Sequence, residues 1–585
     1  MSQLFRVPAM RIAAECELAL PGSKSHANRA IICACLASGR TIIRNSTPCD
    51  DVLVMVDNLK RLGFNVRWIN EQNGELCIEP GIPKGGKATL DCHNAGTTLR
   101  FLTSVSSLVP GEWIVTGDDH MKRRPIGDLT KALRSLGAVI TDKGGCPPLE
   151  IRGGTLRNRA IRLKADISSQ YLTSLLLIAP LLADGLTVEL AGGLASSGYI
   201  DLTEKTMKDF GVNISRKDNT FIVQHGRYTT PSTYEIEGDW SAAGAWLVLN
   251  ALTGSKITMP NLRTDSEQSD RKLPEAIHKL TKAGDIALNC SEIPDQVMNL
   301  CVFATFRQGV ATFTGIANLR KKECDRIHVI ATELRKAGVD IIEKGDDLVI
   351  HGVGSLEKIS RNAKAITLDP HDDHRMVMAF AIFGLLRGNL TIKNPDCVWK
   401  SYPTFFMDLE KIIGVTRPIT VVGMRGVGKS ALGRKLASKL GLKHVDSDHL
   451  FEKAHGPIRA FIAEKGWDEF RKREEEIIAT AIQPGIVLSL GGGALSSAKT
   501  RKLIKEKTIP VWLQARESEL IKRLQSGKRP PLTDLPLHEE VRKFLLERGP
   551  HYREVAAIEV SPTLRFSEQV PSVLKSLREI FLSKR

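Results

Sequence analysis

Residues 423–430 read GMRGVGKS and fit the phosphate-loop template GxxxxGK[ST] without a mismatch. Glycines in such a loop let backbone N–H groups converge on a polyphosphate at a helix N-terminus. Lys429 is placed to reach the outer phosphates and Ser430 to hold Mg2+. Gly423, Gly426, Gly428 and Ala431 complete the expected ATP-binding set. A second group of reactive residues lies far upstream. PGSKSHANRA at 21–30 sets Lys24, Ser25 and Arg29 around a glycine turn that opens a helix. NAGTTLRFLTS at 94–104 does the same with Arg100, and MKRRPIGDL at 121–129 presents Arg124 before Pro125, read as a helix initiator. Each alone could be a helix cap carrying a solvated charge. Together they describe walls of a cleft for phosphates or carboxylates.

These groups need elements to position them. The phosphate loop is preceded by a strand-like run, Ile419–Val422, and opens a helix-like one over 431–440, which is the context the motif requires. Upstream of it a short pattern recurs: a helix-like end, a glycine, then β-branched residues in alternation. It reads LKRLGFNV at 59, LRSLGAVI at 133, MKDFGVNI at 207, LTKAGDIA at 280 and LRKAGVDI at 334, with LEKIIGV at 409 as a looser sixth copy. The glycines are Gly63, Gly137, Gly211, Gly284, Gly338 and Gly414, the first four spaced by 74, 74 and 73 residues. A glycine just beyond an amphipathic helix is a left-handed C-cap, so each copy marks a helix feeding a strand. Near-constant spacing argues for an internal repeat of about 70 residues. Six copies suggest two similar domains of three units each.

Composition sets the outer limits. A chain of 585 residues, 42% of them hydrophobic, can bury several cores. The net charge is +16, of which +12 falls in the last 169 positions, with 32 basic against 20 acidic residues there. That balance suits anionic ligands; no recognition motif or basic arm supports nucleic acid. All eleven cysteines precede residue 400, without a CxxC or paired metal-ligand spacing, and Cys33 and Cys35 read as core thiols. Reduced thiols and an N-terminus lacking an apolar leader core point to a cytoplasmic protein. The longest apolar run, 171–182, contains Pro180 and reads as a buried helix, so no membrane partner is expected. The junction at 414–418 is short, which places the phosphate-loop domain directly behind the rest.

PGSKS, NAGTTLRFLT, RRPIGDL, SSQYLTSLL at 168–176, SGYIDLT at 197–203, IPDQVM at 293–298, NLRKKECDR at 318–326 and DDHRMVMAF at 372–380 occur in order, and residues 1 to about 412 resemble 5-enolpyruvylshikimate-3-phosphate (EPSP) synthase. The resemblance implies an α/β enolpyruvyl transferase fold, an inside-out barrel of six βαβαββ repeats in two subdomains, 21–238 and 1–20 plus 239–415. The chain would cross between them near Leu20 and Gly238. It also implies transfer of enolpyruvyl from phosphoenolpyruvate to the 5-hydroxyl of shikimate 3-phosphate, without a cofactor. Lys24, Gly96, Arg124, Arg326, Arg375 and Lys400 would hold phosphoenolpyruvate. Ser25, Arg29, Ser168, Ser169, Gln170, Ser196, Tyr199, Asp295, Asn318 and Lys322 would hold shikimate 3-phosphate. Asp295 would be the base at the hydroxyl and Glu323 the donor to the methylene carbon, with Lys24 assisting. His93 and Phe101 depart from the residues many bacterial relatives carry and border the phosphoenolpyruvate pocket, so affinity for the inhibitor glyphosate does not carry over with the reaction.

After the phosphate loop come DSD at 446–448, FRKRE at 470–474, GGG at 491–493, RPPL at 529–532 and RGPHYREVA at 548–556. In this order they resemble shikimate kinase, an α/β/α parallel-sheet domain expected over 416–585. The resemblance makes Asp448 the orienter and base at the shikimate hydroxyl, and Arg471 and Arg548 the carboxylate ligands. Gly491, Gly492 and Gly493 would admit the ring, Asp446 with Ser430 would hold Mg2+ partly through water, and Arg529 would close over ATP from a mobile lid. The expected whole is a bifunctional enzyme of aromatic amino-acid biosynthesis, acting on shikimate, ATP, shikimate 3-phosphate and phosphoenolpyruvate. Two rival readings are a UDP-N-acetylglucosamine enolpyruvyl transferase in the front half, disfavoured by SSQ and KKECDR, and a non-catalytic ATP-binding regulatory domain behind an active synthase. Intact Asp448, Arg471 and Arg548 speak against the second, because an ATP sensor has no use for a carboxylate site.

Overall fold

The structure is a computed structural model that describes residues 4–7, 15–154, 156–157, 159–165, 168–194, 198–355, 358–359, 363–412, 418–440, 442–483, 486–526, 533 and 535–583. The chain forms two compact units, Met1–Phe405 and Phe406–Arg585. Most of the junction at 414–418, including Gly414, lies outside the described residues.

The repeated glycines cap helices as their sequence context requires. Gly63, Gly137, Gly211 and Gly338 each come just after the C-terminal end of a helix, at φ between 78° and 98°. In each case the next residue's N–H reaches back five residues: Phe64 to Leu59, Ala138 to Leu133, Val212 to Met207 and Val339 to Leu334. This is the Schellman pattern, and it turns the chain from helix to strand with the same geometry four times. Gly284 also has positive φ, but its helix, Leu273–Leu280, ends earlier.

Each cap delivers the chain into a small sheet. Gly86–Asp91, Gly96–Leu108, Gly111–Thr116, Gly127–Ser135, Val139–Lys143 and Cys146–Gly153 form one βαβαββ unit. Its first two strands are parallel, as a helical crossover demands, and the last two pair antiparallel. The unit from Ala160–Ala165 to Thr220–Val223 and the unit from Ile286–Asn289 to Asp347–Val353 repeat this order and these directions. A fourth sheet is completed by a remote strand: Thr233–Glu235 pairs in parallel with Thr41–Arg44, in the first-strand place. A three-stranded and a two-stranded sheet bring the first unit to six among the described residues. One apolar core runs from Ala27 to Ile236 beneath the first three repeats. At the expected crossings the two chain passages lie side by side, with a Gly22–Gly238 bridge and Asp239 N–H donating to Pro21 O at 2.9 Å.

Two sequence expectations shift locally. Pro125 does not start a helix; Ile126 is the N-cap of Gly127–Ser135, and Pro125 instead offers its carbonyl to the Tyr171 hydroxyl at 2.6 Å. The apolar run at 171–182 is buried as expected, but its helix stops at Ile178 and a 3-10 turn, Ala179–Leu181, accommodates Pro180.

The second unit has one five-stranded parallel sheet, ordered Lys443–Asp446, Ile486–Ser489, Ile419–Val422, Ile509–Leu513 and Ile558–Val560. Every residue of Ile419–Val422 and of Ile486–Ser489 is buried, as strands covered on both faces must be. Among the described residues no helix is long and apolar enough to cross a membrane.

Candidate active sites

The crossovers of the first unit aim helix N-termini at one place. Lys24, Gly96, Ser169, Gly198 and Arg326 are each the first residue of a helix, and Arg375 is the second residue of His374–Arg387. Polar caps hold four of these ends, at Ser23, Ser168, Asp325 and Asp373: Ser168 accepts from Gln170 N–H at 3.3 Å, and Asp373 accepts from Arg375 N–H at 2.8 Å. The motifs are therefore both helix caps and site residues. Unsatisfied N–H groups and the helix dipoles favour anions at this point.

Between these ends lies a cleft with about 770 Å³ of unoccupied space. It is lined by Lys24, Ser25, Arg29, Gly96, Arg124, Ser168, Ser169, Gln170, Tyr199, Asp295, Asn318, Lys322, Glu323, Arg326 and Arg375. Lys400 joins from a 3-10 turn, Pro395–Lys400, reaching Asp51 at 3.3 Å and Glu323 at 3.8 Å. Ser196 lies outside the described residues. His93 and Phe101 are not among the lining residues. The His93 side chain is mostly exposed, whereas Phe101 is buried under the Arg29 guanidinium, 5.6 Å from its ring centre.

Arg326 organises the floor. Its Nη1 meets Asp295 at 2.8 Å, its Nη2 meets Glu323 at 2.8 Å, and its Nε meets Asp373 at 2.6 Å. Asp295 also faces Lys322 and Arg375, each at 3.5 Å, and accepts from the Tyr199 hydroxyl at 3.1 Å. Burial alone would raise the Asp295 carboxyl, but Lys322, Arg375 and Arg326 outweigh it and hold it well below the ordinary carboxylate range. Glu323 is held low in the same way: burial pushes it up, and Arg326, Lys400 and Arg124 win. Both carboxylates are ionised in the ligand-free protein. Several donors, by contrast, have no acceptor. Buried Nε of Arg100, Nε and Nη1 of Arg124 and Nε of Arg375 lack a hydrogen-bond partner. An unpaired buried donor costs about 1–3 kcal/mol, which a bound phosphate or carboxylate would recover.

Sequence reasoning missed Asp51 and Asp373. Asp51 bridges Lys24 at 2.8 Å and Lys400, residues nearly 380 positions apart in the chain. In CDDV nothing separates it from Asp50, and only the tertiary fold does. Asp373 had a signal, since DDHR places a carboxylate at a helix N-cap.

In the second unit Gly428 is the N-cap of Lys429–Lys439, and Gly423, Gly426 and Gly428 have φ of 145°, 80° and 108°, which a side chain would strain. Lys429 Nζ rests on Met424 O at 3.0 Å, inside the loop it would leave for a phosphate. Ala431 lies in the first turn of the same helix. Ser430 Oγ donates to Asp446 Oδ2 at 2.6 Å, and a hydroxyl paired with a carboxylate is an oxygen donor set that fits Mg2+. Asp446 also caps the next helix, Ser447–His455, and so presents Asp448 in its first turn.

Three glycines then touch three functional groups. A Cβ at Gly491 would stand 2.6 Å from Asp448 Oδ1, one at Gly492 would stand 3.0 Å from Arg425 N, and one at Gly493 would stand 2.9 Å from the Arg471 guanidinium carbon. Arg471 pairs with Glu474, and Arg548 donates to Gly492 O at 3.2 Å while lying 3.9 Å over the Phe544 ring. Partial burial raises the Asp448 carboxyl against the pull of Lys429. Arg529 lies outside the described residues, as does most of the segment read as a lid.

Known proteins resemble the chain in the same two regions. The family model of EPSP synthase (3-phosphoshikimate 1-carboxyvinyltransferase) matches residues 11–409, and that of shikimate kinase matches residues 425–578. A pentafunctional AROM polypeptide of Candida glabrata is 32% identical over 569 residues, covering 83% of this chain and 36% of that polypeptide. One from Scheffersomyces stipitis is 33% identical over 610 residues, covering 91% and 38%. This chain thus spans about a third of the length of those relatives. The solved structure of EPSP synthase from Acinetobacter baumannii superposes with a TM-score of 0.60 at 25% identity, covering 70% of this chain and 98% of that one. The chain belongs to the EPSP synthase family and carries a shikimate kinase domain behind the synthase domain.

Proposed function

We propose that this chain performs two successive reactions: residues 416–585 phosphorylate shikimate with ATP, and residues 1–415 transfer enolpyruvyl from phosphoenolpyruvate to the 5-hydroxyl of the product, releasing phosphate. The observation that carries the second step is the pair Asp295 and Glu323, both held by Arg326 at 2.8 Å within a cleft rich in unpaired arginine donors. The addition needs a proton taken from a hydroxyl and a proton given to the methylene carbon, which two carboxylates at one cation can provide. Arg124, Arg375, Lys24 and Lys400 would take the phosphoenolpyruvate anion, and Ser25, Arg29, Ser168, Ser169, Gln170, Tyr199, Asn318 and Lys322 the shikimate 3-phosphate. Two bound anions draw on the same cations that hold Glu323 low, so its carboxyl rises on binding and becomes able to carry the proton it donates. Asp295 keeps its charge opposite the hydroxyl.

In the kinase domain the γ-phosphoryl is transferred to a hydroxyl aligned by Asp448, with Arg471 and Arg548 gripping the substrate carboxylate through planar forks. Bound Mg2+, held by Ser430 and by Asp446 partly through water, would neutralise charge on the phosphates. We infer a cytoplasmic setting with small-molecule partners and neither nucleic acid nor membrane, supported by eleven cysteines that form no disulfide among the described residues. Incubating the protein with shikimate, ATP and phosphoenolpyruvate and identifying the product by mass tests both steps. Accumulation of shikimate 3-phosphate alone would remove the synthase activity, and no product without supplied shikimate 3-phosphate would favour the regulatory reading of the second unit.

A further inference from the structure

A second, smaller cavity, with room for about one water molecule, adjoins the synthase cleft, and Ser25 and Tyr199 line both. The far wall of the small cavity is Ser241, Gln268, Ser269 and Asp270. The residues that line it are of polar type, and the Ser269 Oγ, in a residue 8% exposed, has no hydrogen-bond partner. A cavity of that size with an unsatisfied hydroxyl is suited to hold water, which needs two to four polar partners. Asp270 is 3% exposed, accepts a hydrogen bond from Ser241 Oγ, and is otherwise unused by the mechanism.

The Asp295 base has a difficulty that this cavity resolves. Three cations hold its carboxylate well below the ordinary range, so a proton taken from a hydroxyl is poorly retained there. The Tyr199 hydroxyl donates to Asp295 at 3.1 Å, and Tyr199 also lines the small cavity. We propose that Asp270 is the proton reservoir of the synthase reaction, reached from Asp295 through the Tyr199 hydroxyl and water in the small cavity. This rests on the assignment of Asp295 as the base. As the new C–O bond forms, the substrate O–H proton passes to Asp295. Asp295 gives it to the Tyr199 oxygen while the Tyr199 proton moves into the cavity, and Asp270 becomes the neutral acid. On elimination the C–O bond to phosphate breaks, Glu323 takes a proton back from the methyl carbon, and the stored proton returns by the same path to the departing phosphate oxygen.

The charges around Asp270 favour that role. Burial first, and then the Asp295 charge, raise its carboxyl to about 6, while Arg375 opposes them and Ser241 and Gln296 donate to it. Asp239, the neighbouring buried carboxylate, is raised as well by burial. In the ligand-free protein Asp270 thus holds a proton more readily than Asp295. Neither Lys322 nor Arg326 is among the groups that hold it.

The test is Asp270→Asn in the full chain, measured with Asp295→Asn and Tyr199→Phe. The expected result for Asp270→Asn is a synthase kcat about tenfold lower with unchanged KM for shikimate 3-phosphate and an unchanged Tm, and for Asp270→Ala a partial recovery of kcat with added formate, which fills the space the carboxylate vacates. Tyr199→Phe should lose kcat similarly but without formate rescue. If Asp295→Asn abolishes turnover while Asp270→Asn leaves kcat and its pH profile unchanged, the reservoir is wrong and the base assignment stands. If Asp295→Asn keeps turnover, the base assignment itself is wrong. A loss in Asp270→Ala that formate does not restore, or a lowered Tm in Asp270→Asn, would mean a structural role and would overturn the proposal too.

Discussion

By the reactions proposed for them the two sites would handle the same kind of ligand, an anion on a small ring, but they prepare their carboxylates in opposite directions. In the synthase cleft the functional acids are pinned low, because the cations gathered for two phosphate-bearing substrates act on Asp295 and Glu323 first. In the kinase domain Asp448 is raised, because its burial, with the charges of Asp446 and Glu452, outweighs Lys429 and Arg471. The cleft is assembled largely from helix ends scattered from Lys24 to Lys400, whereas in the kinase domain the phosphate loop, Asp446 and the glycine run follow strands and Arg471 and Arg548 project from within the helices Ile458–Ala481 and Leu537–Val555. A site that must clamp two anions stores its cations on its own carboxylates, and substrate binding redistributes them. A site that meets one ATP with its metal can leave its base nearly bare.

The largest effect that could break this contrast comes from Arg326→Met. Three carboxylates would lose a shared buried partner, which costs about 3–5 kcal/mol when one member of a buried pair is removed. Synthase kcat/KM should fall by roughly a thousandfold or more with the kinase rate unchanged. A synthase that works normally without Arg326 would show that the cleft is not organised around it.

Next in size is Lys429→Ala, expected to reduce kinase turnover by about a hundredfold or more while synthase activity with supplied shikimate 3-phosphate stays normal. Mixed with a full-length Glu323→Ala chain, it should regain the two-step reaction through diffusing intermediate. Failure of the mixture, with each unmutated activity intact, would require a closed route between the sites.

Glycine substitutions sharpen the comparison at the level of single contacts. Gly493→Ala pushes a methyl against the Arg471 guanidinium and should raise KM for shikimate roughly tenfold with little change in KM for ATP. Gly96→Ala meets Arg100 and stands 2.9 Å from Arg124 Nη1, so it should weaken phosphoenolpyruvate as well as glyphosate. A variant that lost glyphosate alone would mean that these guanidiniums give way without disturbing the substrate.

The smallest effect is thermodynamic. A carboxyl lowered on folding adds stability above its unfolded value and loses it as pH falls through the folded one; a raised carboxyl does the reverse. Asp295→Asn should therefore lower the Tm of the synthase transition at neutral pH, by an amount that shrinks on acidification. Asp448→Asn should leave the kinase transition unchanged or slightly higher. Calorimetry of the three proteins at two pH values decides it, and a destabilised Asp448→Asn would refute the opposition between the sites.

Much of this molecule was legible from local chemistry. The glycine C-caps at 63, 137, 211 and 338, the strand-loop-helix around Lys429 and the polar helix starts at Lys24, Gly96 and Ser169 depend on neighbours within a few residues, so their spacing in the chain declares them. Residue types alone also announced an anion site, and the resemblance carried by those motifs assigned its members. What the chain order does not contain is how distant groups share charge. Asp51 meets Lys24 and Lys400, Arg326 meets three carboxylates, and Asp270 stands across a cavity from Tyr199 because six repeats fold their helix ends onto one point. Protonation depends on distance and burial, which fall off within a few ångströms and have no fixed relation to sequence separation. The sequence by itself determined the local turns and the residue types they present to an anion; the tertiary structure alone decided which distant groups meet, and so which of them are charged.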